Sequence, residues 1–184
     1  MHEDMYGLVN QAIEDLVTGS AGPQVWAAVL RRAGCDIQVF ISNESYDDAI
    51  TYRLVGAVAE ELQVPADEIL RRFGRHWVLQ TARDSYGPLL ANGGATLEEF
   101  LRNLPNFHHR VVLIFPALRP PNFSVVDASP GRIRLRYESH RPGLVQFVVG
   151  LLHGLGEMYA TPVTVTHESR RDDGAAHDDF VVRW

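Results

Sequence analysis

The residues best suited to chemistry in this chain sit on one strand-like stretch, "IRLRYESHR" from Ile133 to Arg141. Side chains alternate across a strand with period two, so Tyr137, Ser139 and Arg141 share a face with Ile133 and Leu135. The two aliphatic residues mark that face as the inward one, and the opposite face, with Arg134, Arg136, Glu138 and His140, reads as solvated. A phenol, a hydroxyl and a guanidinium pointing inward each need a hydrogen-bond acceptor. A bound anion would satisfy all three, because Arg carries a rigid fork of donors matched to a carboxylate. Charge-assisted bonds of that kind contribute about 1.5–3 kcal/mol each. The plainer alternative is a polar strand end that reaches solvent. A planar, carboxylate-bearing cofactor would also account for the apolar stretch after it, where Gly150, Gly154 and Gly156 would let a helix approach a flat neighbour.

Other candidates carry less. His108 and His109 lie in a helical stretch directly before "RVVLIFP". Adjacent helical residues face different ways, so the pair cannot clamp one metal, although either alone could be an axial ligand or an ordinary structural histidine. His2, His76, His140, His153, His167 and His177 show no ligand spacing such as H-E-x-x-H. "GLLHGLGEMY" is not a G-x-G-x-x-G, and no strand precedes it, so close packing explains its glycines better than a nucleotide does. No G-x-S-x-G elbow is present. Cys35 is the only cysteine, which excludes disulfides and Cys-based zinc sites within one chain, and its context does not mark it as a nucleophile. Glu14 with Asp15, and Asp47 with Asp48, read as solvated neighbours. No catalytic machinery emerges.

The elements that must position these residues are set by periodicity. Six stretches have helical spacing: "MYGLVNQAIEDLV", "QVWAAVLRRAG" opened by Pro23 and closed by Gly34, "DDAITYRLVGAVAEELQ", "PADEILRRFGRHWVLQTA", "TLEEFLRNLPNFHHRVVLIF" and "GLVQFVVGLLHGLGEMYA". Thr96 and Glu99 form a capping box, and Pro105 predicts a kink or restart. "FSVVDA", the turn "SPG" and "RIRLRYES" read as a hairpin, and "TPVTVTHE" and "DFVVRW" as two further strands. Helices first and a mixed half afterwards make an α+β pattern. The 184 residues, 46% hydrophobic, fit one globular domain. A formal charge of −6 argues against a phosphate-backbone binder, so no nucleic-acid partner is expected. No apolar run spans a membrane and "MHEDMYG" lacks a signal-peptide profile, so a cytoplasmic chain is expected.

These pieces together resemble a known family. "RYESHR" is similar to the Y-x-S-x-R motif of H-NOX (haem–nitric oxide/oxygen binding) domains, which include the haem domain of soluble guanylate cyclase. "MYGLVNQAIEDLV" resembles the family's N-terminal helix, "FGRHWV" its distal segment, "LPNFHHRV…FPALRPPNF" its proximal segment and "GLLHGLGEMY" its last helix. The likeness covers nearly the whole chain, with residues 1–4 as an extension of a single domain over 1–184. It implies an H-NOX fold with a roughly four-stranded antiparallel sheet packed on helices, and haem b (iron protoporphyrin IX) between the helical and mixed parts. Carried over by position, Tyr137, Ser139 and Arg141 would bind the haem propionates. Counting back from Pro116 makes His108 the iron ligand, with Phe107 where the family often has Leu and His109 as the rejected neighbour. Pro121 matches a proline that presses on the haem.

On the distal side the family's oxygen binders place a tyrosine five residues after the motif's arginine, where this chain has Gln146. Trp77 takes another distal position, and Val9, Ile13 and Leu144 complete that pocket. Gln146 has a plainer reading as part of a polar stripe with His153 and Glu157. The resemblance implies a non-enzymatic sensor of nitric oxide and carbon monoxide at ferrous haem. It would signal by conformational change to a separate protein, a histidine kinase or a cyclic-di-GMP enzyme. The alternatives are an oxygen-binding H-NOX sensor and a haem-free interaction module; a hydrolase using His108 or His109 as base would lack a nucleophile.

Overall fold

The helix-period face of the first stretch becomes α1 (Gly7–Ala21), which fully buries Ala12, Ile13 and Val17. The computed structural model describes residues 4–114, 116 and 118–184; of the stretches above, Met1–Glu3, Phe115 and Ala117 lie outside the described residues. Gly22, at φ +89, turns the chain into α2 (Pro23–Arg32), whose first residue is the expected proline. α3 (Asp48–Leu62) and α4 (Ala66–His76) complete the helical part. Trp26, Val29, Leu54, Val58, Ile69 and Phe73 form its hydrophobic cluster with the buried face of α1. A short antiparallel ladder, β1 (Asp4–Tyr6) on β2 (Ser45–Asp47), joins this part. Periodicity did not mark it, because strands this short leave no alternation to read.

The stretch "PADEILRRFGRHWVLQTA", expected as one helix, changes character at its middle. α4 gives way to a π-helical turn over Trp77–Thr81 before α5 (Ala82–Ala91). Such a turn holds one residue more than an α-turn, so it re-aims the side chains beyond it, and π-turns recur at functional sites. α5 departs from helical geometry at Tyr86, two residues before Pro88. In α6 (Leu97–Ile114) the capping exchange is present in a displaced form. Thr96 Oγ1 accepts from the Glu99 N–H at 3.2 Å, and Glu99 Oε2 accepts from the Ala95 N–H at 2.8 Å. The restart expected at Pro105 does not occur; α6 runs through it as one helix.

The mixed half is an antiparallel sheet in the order β3-β4-β6-β5, built from β3 (Asn122–Ser129), β4 (Arg132–Glu138), β5 (Thr164–Ser169) and β6 (Asp178–Arg183). Its inner face, with Ile133, Leu135, Phe180 and Val182, packs on Val148, Leu152 and Leu155 of α7 (Val145–Met158) in a second hydrophobic cluster. α7 also crosses α4, and the glycines of both helices explain how closely. A Cβ on Gly150 would lie 2.2 Å from Arg71 O, and one on Gly74 would lie 2.2 Å from Phe147 O. The flat neighbour that Gly150 admits is therefore another helix backbone. On the sheet's outer face Arg134 and Arg136 are not merely solvated: their Nε atoms donate to Asp179 at 3.1 and 3.2 Å, and that carboxylate is 1% exposed. No helix among the described residues is long and apolar enough to cross a membrane.

Candidate functional site

The end of β4 carries the polar trio inward as its spacing implied. Tyr137 is 2% and Arg141 6% exposed, while Ser139 is half-buried. Their acceptors come from within the protein. Arg141 Nε donates to Asp48 Oδ2 at 2.6 Å, Nη1 to Arg119 O at 2.8 Å and Nη2 to Asp4 O at 3.1 Å. A guanidinium has five N–H donors, so these bonds leave two uncommitted among the described residues. The Arg141 N–H bonds Ser139 Oγ at 3.1 Å. Tyr137 shares a hydrogen bond with the Ser139 side chain, yet burial dominates its titration and raises its pKa, so the phenol stays a donor.

Asp48 corrects the sequence reading. Asp47 caps α3, its Oδ1 accepting the Ala49 N–H at 2.8 Å, but Asp48 is 6% exposed and forms a buried pair with Arg141. Its other oxygen, Oδ1, is enclosed with no hydrogen-bond partner among the described residues. Adjacent carboxylates at a helix start face different ways, so one can cap while its neighbour points into the fold. Nothing local in the sequence tells which does so.

His108 lies in a different environment. Its ring, on α6, sits 6.0 Å from the Phe107 ring and 5.5 Å from the Phe123 ring. Burial, with His109 alongside, lowers its pKa from the usual 6.5 to about 4, so the imidazole is neutral at physiological pH. Its Nδ1 is enclosed and has no partner among the described residues. His109 is exposed. Phe123 in turn lies 5.2 Å from the Tyr137 ring, so a run of aromatic rings connects His108 to the polar strand end. Pro121, half-buried, directly precedes β3.

The expected distal residues divide from these by cluster. Ile13, Val9 and Leu144 belong to the helical cluster, whereas Phe107, Phe123 and Tyr137 belong to the sheet cluster. Trp77, the first residue of the π-turn, packs against both and meets Phe73 edge-on at 6.2 Å. Gln146 is half-buried near the start of α7. Glu157, on the same helix, is exposed and paired with Arg75 Nε at 2.5 Å. Two surface grooves, of about 360 and 550 Å³, lie elsewhere, beside Cys35 and beside His153. Among the described residues no group of three or more His, Cys, Asp or Glu is arranged to hold a metal ion.

The Haem-NO-binding family model matches residues 6–167. Soluble guanylate cyclase gcy-34 of Caenorhabditis elegans is 30% identical over 84% of this chain, which covers 23% of that relative. Soluble guanylate cyclase 89Db of Drosophila melanogaster is 21% identical over 91% of the chain, covering 25% of that relative. The chain thus spans about a quarter of the length of these curated relatives. Among solved structures, an H-NOX protein from S. oneidensis in the Fe(II)NO ligation state superposes with a TM-score of 0.87 at 21% identity, covering 97% of this chain and 98% of that one. The unliganded Fe(II) H-NOX protein from K. algicida gives 0.84 at 22% identity, covering 97% and 96%. The sheet order, the helical half and the family match converge: the chain has the H-NOX fold and belongs to the Haem-NO-binding, or H-NOX, family of haem-binding gas sensors.

Proposed function

We propose that this chain is a haem-based sensor of nitric oxide, with carbon monoxide as a second ligand and no catalytic step of its own. In this reading His108 is the axial ligand, and Tyr137, Ser139 and Arg141 hold the haem carboxylates. The observation that carries it is the state of His108: a neutral imidazole among aromatic rings, with one ring nitrogen enclosed and unpartnered. The residues fit the group. The two N–H donors left on Arg141, the Tyr137 phenol and the Ser139 hydroxyl suit carboxylates, and the candidate residues divide between two apolar clusters that would lie on either side of a flat ring.

Ferrous haem supplies an open axial position for a diatomic gas. The chain's own residues govern the response to that gas. Histidines that bind metals usually donate their second ring N–H to an acceptor, which strengthens them as ligands. His108 Nδ1 has no such acceptor among the described residues, so the imidazole would hold the iron without that support. It is neutral, which makes its apolar surroundings tolerable. Pro121 would pack against the haem. The helical half could shift against the sheet half, with Arg141 to Asp48 as a contact that spans them. A separate cytoplasmic partner, a histidine kinase or a cyclic-di-GMP enzyme, would read that shift, with the whole chain acting as one sensing domain.

Gln146 and Trp77 favour nitric oxide over oxygen, because no phenol stands where an oxygen binder would have one. The second reading, an oxygen sensor, rests on the half-buried Gln146 amide and the Trp77 indole as donors. Absorption spectra of the purified ferrous protein, alone, in air, with carbon monoxide and with nitric oxide, test the proposal. A Soret band that shifts with the last two gases and not in air is expected. A protein that is colourless and cannot be reconstituted with haem would sink it.

A further inference from the structure

The Arg141–Asp48 pair has a counterpart on the other side of the hydroxyls, in the segment that joins β5 to β6. Asp178, the first residue of β6, faces Tyr137 across the ladder and is 2% exposed. Its Oδ1 accepts the Arg171 backbone N–H at 3.1 Å and lies 2.9 Å from His167 Nε2. Its Oδ2 accepts from Arg171 Nε at 2.9 Å. Arg171 then reaches past the end of the sheet, and its Nη1 donates to Ser139 O at 2.8 Å. His167 is held flat on Phe180 at 4.8 Å and 14°, and Phe180 meets the Tyr137 ring edge-on at 6.1 Å.

That contact falls where β4 would otherwise fray. The β4–β6 ladder ends at Tyr137 with Asp178, and the β3–β4 ladder ends at Glu138 with Asn122, so Ser139 lies beyond both. A part-buried ion pair such as Arg171–Asp178 is poor evidence of stability for its own sake, because desolvation of the carboxylate and solvent screening of the guanidinium offset most of the attraction. Its use is better sought in what it orients, and here that is Ser139 and the hydroxyl pair. We propose that Arg171, fixed by Asp178 and His167, is a positioning residue for the haem-carboxylate clasp: it sets Ser139, and through Ser139 the Tyr137 hydroxyl. The proposal rests on the haem-sensor reading above.

The test uses the haem-loaded 184-residue chain, ferric for haem loss and ferrous for resonance Raman, and Arg171→Met, with Arg171→Lys, Asp178→Asn and Arg134→Met alongside. Haem loss is followed by transfer to excess apomyoglobin, and the haem carboxylate bending bands by resonance Raman. Arg171→Met is expected to lose haem roughly 10- to 100-fold faster, the range typical of removing an outer-shell partner, with shifted carboxylate bands and an unchanged iron–histidine stretch. Arg171→Lys should recover only part of this, because a single ammonium cannot bridge Asp178 and the Ser139 carbonyl in the same fork. Should Arg171→Met fail to fold, Asp178→Asn, which keeps an acceptor but drops the charge, must shift the same bands. Arg134→Met breaks a comparable pair on the outer face and should leave haem loss and the bands unchanged. Unchanged bands with haem loss within twofold of the parent, or an equal effect from Arg134→Met, overturns the proposal. A parent protein that takes up no haem defeats the sensor reading first, and the two failures are therefore distinguishable.

Discussion

His108 and Arg141 are the two groups on which the proposed site depends, and the fold treats them in opposite ways. His108 is neutral, walled by aromatic rings, and keeps a buried nitrogen with no partner among the described residues. Arg141 is charged and held by a buried carboxylate and two backbone carbonyls before any ligand arrives. The difference comes from desolvation. A neutral imidazole tolerates an apolar wall at modest cost, whereas an unpaired guanidinium in the interior costs several kcal/mol, on the order of 3–5 when one partner of a buried pair is removed. The neutral group has an enclosed nitrogen without a partner among the described residues, whereas the charged group is tied from several elements.

Removing each group should expose this contrast, and the largest effect belongs to His108. His108→Gly is expected to lose stable haem unless free imidazole is supplied, while His109→Ala, exposed on the same helix, keeps it. The ferrous Soret band reads both, and the opposite pair of outcomes would exchange their roles. Next in size are the clasp residues. Arg141→Ala should weaken haem retention by roughly 2–4 kcal/mol, on the scale of charge-assisted bonds with disturbed neighbours. Asp48→Ala, which strands the guanidinium, should destabilise folding by about 3–5 kcal/mol, and the double substitution by less than the sum of the two. Urea unfolding with haem-transfer rates separates the two effects. Additive losses would mean that the Asp48–Arg141 contact carries no coupling.

How far the sequence foretold this contrast depends on the distance over which each side is built. The inward face of β4 was legible because period-two alternation is local, and Ile133, Leu135, Tyr137 and Arg141 are all buried. The amphipathic helices and the β3–β4 hairpin were legible for the same reason. Asp48 was not, because its partner lies 93 residues away and no local pattern distinguishes a capping aspartate from a buried one. Asp178 with Arg171 was hidden likewise inside what reads as a polar turn. The π-turn at Trp77 escaped because it adds a residue to a helix without changing composition.

A smaller effect concerns acid. The folded, haem-free chain holds His108 neutral down to about pH 4, whereas the unfolded chain takes up that proton near the usual 6.5. Between those values the unfolded state binds more protons, so stability falls as pH drops through the interval and levels off below it. The loss amounts to about 3 kcal/mol at most, at 1.36 kcal/mol per unit. Subtracting the same titration for the haem-free His108→Gly protein isolates it. An identical slope in the two proteins would place the titration elsewhere.

The smallest effect is the one that sets gas preference. Bound oxygen draws electron density from ferrous iron, and a hydrogen-bond donor near its outer atom stabilises it; nitric oxide binds strongly without such help. One neutral hydrogen bond contributes only about 0.5–1.5 kcal/mol, up to roughly tenfold in affinity. On the proposed reading Gln146 stands where a phenol would supply that bond, and its amide can turn either its NH2 or its carbonyl inward. Trp77 carries an indole N–H, but its ring is held edge-on against Phe73 at the meeting of the two clusters, which limits how far that donor can turn. The ferrous protein in air is therefore expected to show no lasting six-coordinate oxygen spectrum, while Gln146→Tyr should slow oxygen loss by up to roughly tenfold and leave nitric oxide binding unchanged. A lasting oxygen spectrum in the parent would reverse the assignment. Gln146→Leu and Trp77→Phe would then identify the donor by which of them abolishes that spectrum.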